Sequence, residues 1–203
     1  MLIIRGNKMK KSITLVFITI MAMFALPASA SLISQSGGTS MAVVASNDLL
    51  TGSYNIGSNV SLDTSADLTF TYLGHEAAYN NDFSFGNQTL NNKMSAIGDS
   101  FSVLNASAGL MDFNFYSNSI GSGITNGANQ PYNSWQSFAV IFDYTHNGTF
   151  YDAILAFDDS GAGPDDNHDD MIVGIQATSV PEPASAALLG LGLLGLAGRR
   201  RFK

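Results

Sequence analysis

The sequence predicts an all-β body, an antiparallel sandwich or jelly-roll-like domain, flanked by an N-terminal signal helix and a C-terminal transmembrane helix. Three observations carry that expectation. Between Ser31 and Ser179 the apolar residues come in short runs punctuated by Gly, Asn, Ser and Asp, with no long helical period. The dipeptide Asn147-Gly148 separates two of these runs. Each end of the chain sets a basic cluster beside an apolar stretch. A length of 203 residues suits one folded domain with targeting segments and is short for two separate cores.

The first element is a tripartite export signal. Lys8-Met9-Lys10-Lys11 is a basic region, Ile13 to Leu26 is almost wholly apolar, and Ala28-Ser29-Ala30 offers the small side chains that an extended backbone needs in a signal peptidase cleft. Cleavage is expected after Ala30, with Ser31 as the first mature residue and signal peptidase as the partner. Met9 is an alternative start, because Met9-Lys10-Lys11 opens a complete signal by itself. The apolar stretch is short for a permanent anchor, and Pro27 leads directly into the cleavage pattern.

The body follows, from 31 to 179. Its clearest strands are Asp67 to Leu73, Leu110 to Tyr116, Ser137 to Tyr144, Thr149 to Phe157 and Met171 to Ala177. Asn-Gly supplies the two positive φ angles of a tight turn, so Phe138 to Phe142 and Phe150 to Phe157 are expected to pair antiparallel. Ser84 to Ile97 reads equally as a loop or a short helix. Several strands without long helices between them imply two sheets whose inner faces bury Phe, Ile, Leu and Val. No fixed-period repeat is apparent.

Charge and composition narrow the partners. The basic residues Arg5, Lys8, Lys10 and Lys11 open the chain, Arg199, Arg200, Arg201 and Lys203 end it, and only Lys93 lies between. All sixteen acidic residues fall between Asp48 and Glu182, so the net charge of -7 averages a strongly acidic body and two basic ends. A body with one lysine cannot neutralise a phosphate backbone, which excludes nucleic acid as a partner, and cations are the natural counter-charge. Cysteine is absent, which removes disulfides, thiolate metal sites and Cys nucleophiles.

The most informative interior stretch runs from Phe157 to Val173. Asp158, Asp159, Asp165, Asp166, Asp169 and Asp170 crowd a loop between two apolar strands, a density that is costly unless water, backbone amides or a cation offsets it. Asp165, Asn167 and Asp169 alternate as oxygen ligands do in calcium loops, with Asp158, Asp159 and Asp170 available nearby. Calcium is therefore the candidate cofactor. The loop is not an EF-hand: Asp170 stands where the turn glycine is expected, no Glu closes the loop, and strands flank it. A solvated acidic turn that blunts sheet pairing is the alternative. Phe157-Asp158-Asp159, a Gly-rich gap and Asp166-Asn167-His168-Asp169-Asp170-Met171-Ile172-Val173 also resemble a motif in a domain of unknown function of exported bacterial proteins. His168 and Asp169 depart from the aromatic residue and Asn more usual there.

The last element spans 180–203. Val180-Pro181-Glu182-Pro183 precedes the apolar run Ala184 to Ala197 and the cluster Arg199-Arg200-Arg201. As a helix that run measures about 21 Å at roughly 1.5 Å per residue, short of a hydrocarbon core of roughly 30 Å. The prolines keep the preceding backbone extended and accessible, and the arginines would hold the end on the cytoplasmic side. In this order these features resemble the PEP-CTERM protein-sorting tail of Gram-negative bacteria. The resemblance implies that an exosortase recognises Pro181-Glu182-Pro183 and cuts near it. It also implies an inner-membrane-anchored precursor with its body in the periplasm, passed on to the cell surface or extracellular matrix.

No catalytic pattern is assembled. His75-Glu76 and His168 lack a second His at ligand spacing, and Ser-His-Asp combinations in a Ser-rich chain mean nothing without geometry. The expected function is thus a noncatalytic exported surface or matrix protein. The alternatives are a carbohydrate-binding module using Tyr132, Trp135 and the Tyr116 region, with extracellular polysaccharide as partner, and a secreted hydrolase. Trp135 leads into an apolar strand and is expected to pack in or at the edge of the core.

Overall fold

The computed structural model describes residues 31–43, 47, 49–130, 135–160, 167–180 and 190–192. The chain divides into two units, Met1–Ala30 and Ser31–Lys203, and every described residue belongs to the second. Twelve strands are seen among them: β1 (Ile33–Ala42), β2 (Ser53–Leu62), β3 (Ala66–Gly74), β4 (Asn81–Phe85), β5 (Gln88–Asn91), β6 (Ser100–Ala106), β7 (Gly109–Leu110), β8 (Phe113–Ser117), β9 (Ser122–Thr125), β10 (Ser137–His146), β11 (Thr149–Asp158) and β12 (Met171–Ser179). The larger sheet runs β1-β2-β10-β11-β12-β3-β6 with β7 beside β2, and the smaller runs β5-β4-β8-β9. Every strand pair is antiparallel.

The hairpin expected at Asn147-Gly148 is present. Asn147 and Gly148 take φ of 48° and 82°, as a two-residue primed turn requires, and β10 pairs with β11 from His146↔Thr149 out to Ser137↔Asp158. β12 adds on the far side of β11, and β3 follows it.

Between the sheets the core is aromatic. Phe115 of the smaller sheet stacks on Phe157 of the larger, with centroids 4.9 Å apart and planes 7° from parallel. Phe113 meets Phe138 edge-on at 5.2 Å, and Phe83 touches Phe70 at the same separation. Leu68, Val140, Leu155 and Val173 fill the space around them. Large flat side chains suit this gap because two facing sheets stand about 10 Å apart.

A further layer lies on the opposite face of the larger sheet. Ala139, Ile141, Ile154, Ala156 and Ile172 point there, among Leu50, Tyr54, Ile56 and Tyr151, with Met41, Val43 and Leu49 packed over them. β10, β11 and β12 are consequently buried on both faces, which explains why they read as continuous apolar runs rather than alternating ones. The β1–β2 ribbon bends to reach both layers: Tyr54 and Ile56 join the outer cluster, while Val60 and Leu62 join the core between the sheets. The bend sits at Gly38 (φ 82°), where a Cβ would lie 2.7 Å from Ser58 Cβ and 3.0 Å from the Ile56 carbonyl oxygen. Only glycine fits.

Two expectations are corrected. Leu110 to Tyr116 is not one strand but β7 and β8. The Asn126 side chain enters at the break, accepting from Val60 N–H and donating to the Val60 and Met111 carbonyls. Ser84 to Ile97 is neither loop nor helix, since it contributes the β4–β5 hairpin followed by turns. The expected signal helix lies outside the described residues, as does the expected transmembrane helix apart from 190–192. Residues 190–192 are helical, and among the described residues no helix is long and apolar enough to cross a membrane.

Candidate functional site

The acidic loop joins β11 to β12, neighbours in the larger sheet, so both of its ends emerge at the same edge of the sandwich. Asp165 and Asp166 lie outside the described residues, as do Ala28 and Ala30 at the expected cleavage site, Pro181, Glu182 and Pro183, and Arg199, Arg200 and Arg201. Ser31 is exposed, and Val180 follows directly on the last residue of β12.

The described loop residues are not those of a solvated turn. Asp158 and Asp159 are 2 % exposed, Asn167 2 %, His168 0 % and Asp169 1 %, while Asp170 is half-buried. Interior carboxylates need donors, and here they come from one distant side-chain amide and from backbone N–H groups of the loop itself. Asn81 Nδ2 donates to Asp159 Oδ2 at 2.5 Å, Asp159 N–H donates to Asp170 Oδ2 at 2.7 Å, and Ser160 N–H donates to Asp158 Oδ1 at 3.2 Å. Asn47 Nδ2 donates to the Asn167 carbonyl at 2.7 Å, while its Oδ1 accepts from the Leu49 and Leu50 amides. Glu76 N–H reaches the Asp169 carbonyl at 2.9 Å, and Asn167 Nδ2 reaches Glu76 Oε2 at 3.3 Å.

Alternation along the strands divides this end into two sides. On the core side, Asn81, Ser117 and Ser122 form a cross-strand row in the smaller sheet, one step beyond Phe83, Phe115 and Ile124. Gln136 Nε2 closes the row, donating to the Ser122 carbonyl at 3.3 Å and the Asp159 carbonyl at 3.0 Å. On the outer side, Ser137 Oγ lies 2.8 Å from His168 Nε2, and Tyr54 packs on the His168 ring at 5.4 Å. Ser137 and His168 are 1 % and 0 % exposed, so this serine–histidine contact has no open face on which a substrate carbonyl could sit.

Outside this interior, Glu76, Ala77, Ala78, Tyr79, Asp159, Ser160 and Asp170 line a cleft of about 310 Å³. Among the described residues no three His, Asp or Glu side chains converge as a metal-ligand set. Beside the cleft Tyr72 OH bonds His75 Nδ1, Lys93 Nζ sits 3.3 Å from His75 Nε2, and the Lys93 ammonium donates to the Ala77 carbonyl at 2.7 Å. Burial pushes the Tyr72 phenol up to about 12. Burial, and then the Lys93 charge, hold His75 below its ordinary value.

Sequence reasoning missed Asn47, Asn81, Ser117, Ser122, Gln136 and Asn92, whose Nδ2 donates to the Asp170 carbonyl at 3.4 Å, and it weighed Glu76 only beside His75 as a zinc pattern. Isolated polar residues in a chain rich in Asn and Ser carry no signal of burial until the fold brings them against the loop. The placement expected for Trp135 is also corrected: it is 66 % exposed, because the inward alternation begins only with Gln136 and Phe138. Tyr116 is 38 % exposed on the outer face of the smaller sheet, its ring lying over Gly123. Tyr132 is outside the described residues.

No curated protein and no solved structure matches the chain. Residues 179–201 match the family described as the PEP-CTERM protein-sorting motif. The chain thus carries a PEP-CTERM sorting motif that begins on the last residue of β12, and by that motif it is an exported protein, made as a membrane-anchored precursor and processed by an exosortase.

Proposed function

We propose that the protein is a noncatalytic component of the cell surface or extracellular matrix, released from its tail by cleavage near Pro181-Glu182-Pro183. The observation that carries this reading is the junction: the motif starts at Ser179, the end of a strand paired on both sides within the larger sheet. Cutting beyond Ser179 removes no residue of any described strand, so it leaves the sandwich whole. The periplasm is the compartment in which the body waits for processing. Replacing Pro181, Glu182 and Pro183 with alanine is expected to leave full-length protein in the membrane. Normal release of that variant would contradict the proposal.

A carbohydrate-binding role is the second reading, favoured by the exposed ring of Trp135. Trp135 is the only tryptophan, so its fluorescence in a polysaccharide titration reads the ligand directly. A saturable change supports glycan binding, and silence across a glycan panel removes it. Calcium is the proposed cofactor of the acidic end, supported by the burial of Asp158, Asp159 and Asp169 in a body with a single lysine.

A further inference from the structure

We propose that Asn147 is a site of self-modification, at which the Gly148 backbone nitrogen displaces the Asn147 side-chain nitrogen as ammonia and a carboxylate is left on the β10–β11 turn. The proposal is independent of the glycan and calcium readings above.

The chemistry is open to any Asn-Gly pair, and the fold decides which pair can use it. The backbone nitrogen after an asparagine closes a five-membered ring when it bonds to the side-chain Cγ, and a glycine there brings no Cβ to hinder the approach. The chain has two such pairs, Asn126-Gly127 and Asn147-Gly148. In the first, both reacting groups are held. Asn126 is 5 % exposed, its Oδ1 accepts from the Val60 N–H, and its Nδ2 donates to the Val60 and Met111 carbonyls. The Gly127 N–H donates to Asn59 Oδ1 at 2.8 Å, which fixes the attacking nitrogen as well. Ring closure at Asn126 must therefore break bonds made in the interior.

The second pair stands at the tip of a hairpin. Asn147 is exposed, and a Cβ added at Gly148 would meet nothing within 4 Å. His146↔Thr149 is the last pair of the ladder, so both turn residues lie beyond it. Swinging the Gly148 nitrogen onto Asn147 Cγ disturbs the turn alone, and local opening of an exposed tip costs far less than opening the core.

The leaving atom also has an acid beside it. Asn147 Nδ2 lies 3.0 Å from His146 Nε2, and in the resting turn the neutral ring accepts from the amide. When the Gly148 nitrogen bonds to Cγ, its own proton passes to water, the carbon becomes tetrahedral and Nδ2 regains a lone pair. An amide anion leaves poorly, so Nδ2 must take up a proton as the Cγ–Nδ2 bond breaks. The protonated form of His146 carries that proton at Nε2, within hydrogen-bond distance of the departing atom. Ammonia leaves, and water opens the resulting succinimide to aspartate or isoaspartate at position 147. Either product adds a negative charge to an acidic body. Isoaspartate also inserts a carbon into the backbone of a turn whose φ of 48° and 82° match the flanking strands, so the His146↔Thr149 pair is expected to open.

The test incubates the folded exported protein at neutral pH and follows the two Asn-Gly peptides by mass spectrometry, which reads the exchange of NH2 for OH, with isoaspartate resolved by chromatography. Modification at Asn147 is expected to outrun that at Asn126 by tenfold or more, a barrier difference of at least about 1.4 kcal/mol. In denaturant, where the bonds around Asn126 are gone, the two sites are expected to react at similar rates. His146→Gln keeps an acceptor beside Nδ2 but no acidic proton, and should slow modification at Asn147 about tenfold while leaving the melting temperature unchanged. No reaction at Asn147, or equal rates at both sites in the folded protein, overturns the site. A difference that persists in denaturant overturns the structural account of it. An unchanged or faster reaction in His146→Gln overturns the role of the histidine.

Discussion

The middle of the sandwich and its acidic end are built from the same strands, yet they are held by opposite chemistry. In the middle, Phe70, Phe83, Phe113, Phe115, Phe138 and Phe157 fill the gap by shape and area. One step along β11 and β8, the same gap holds Asp159, Asn81, Ser117, Ser122 and Gln136. Asn81 and Ser117 are buried as completely as the aromatic rings, and Asp159 nearly so. The aromatic layer is stable through contact alone, whereas the polar layer is stable only if each donor and acceptor is met. The comparison teaches that in this fold the end of the apolar pattern is not the end of the interior.

The largest effect that could break the comparison is expected in the aromatic layer. Phe157→Ala removes the stacked partner of Phe115 and should cost about 3–5 kcal/mol by chemical denaturation, through lost transfer energy and a residual cavity. A loss under about 1 kcal/mol would mean that the layer collapses freely to refill the space.

Tyr72 comes next, since it belongs to the core while its hydroxyl reaches His75 and the Asn92 carbonyl at the rim of the polar end. Its phenol is raised from 10.0 to about 12 in the folded state. The unfolded chain therefore loses its proton first, and stability is full below pH 10 and declines as pH rises towards about 12. Tyr72→Phe should flatten the alkaline limb of a stability–pH curve.

For the polar layer itself, Asp159→Ala leaves Asn81 Nδ2 with only the Asp170 carbonyl at 3.5 Å and should cost about 1–3 kcal/mol. Asn81→Ala combined with it should cost less than the sum of the two single changes, because the partners are coupled. Strict additivity in that cycle would show that the hydrogen bond contributes nothing.

The smallest effect belongs to His75. Its folded pKa lies below 6.5, so the unfolded chain takes up the proton first as pH falls, and stability should drop slightly from pH 6.5 downwards. His75→Gln should remove that slope. Because the ring is partly solvated, the change is expected to be well below that at Tyr72.

How much of this was legible depended on the local signal each part carried. β10, β11 and β12 could be read because double burial makes them nearly continuous apolar runs, and Asn147-Gly148 fixed the turn between the first two. β1 and β4 were not, since Ser34 to Ser40 is made of Ser, Gly, Gln and Thr and Asn81 to Phe85 offers only two apolar residues, and their pairing is decided by partners elsewhere in the chain. The acidic loop could be located but not its burial. Charge density by itself reads as surface, and the side-chain amides that hold this loop come from Asn47, Asn81 and Asn92, which reach the Asn167 carbonyl, the Asp159 carboxylate and the Asp170 carbonyl and are each brought in by long-range packing. The exposed Trp135 failed for the reverse reason: a large apolar side chain beside a buried strand gives no sign of which residue first turns inward.

Amide hydrogen exchange tests the central claim, that the acidic end is interior rather than surface, most directly. The Asp159 amide donates to Asp170 Oδ2, the Asp170 amide to the Phe157 carbonyl, and the Glu76 amide to the Asp169 carbonyl. These three should be protected nearly as strongly as Leu155 and Val173 in the paired centre of the sheet, opening only with global unfolding. Exchange as fast as that of the exposed Asn147-Gly148 turn, with Leu155 and Val173 still protected, would contradict it.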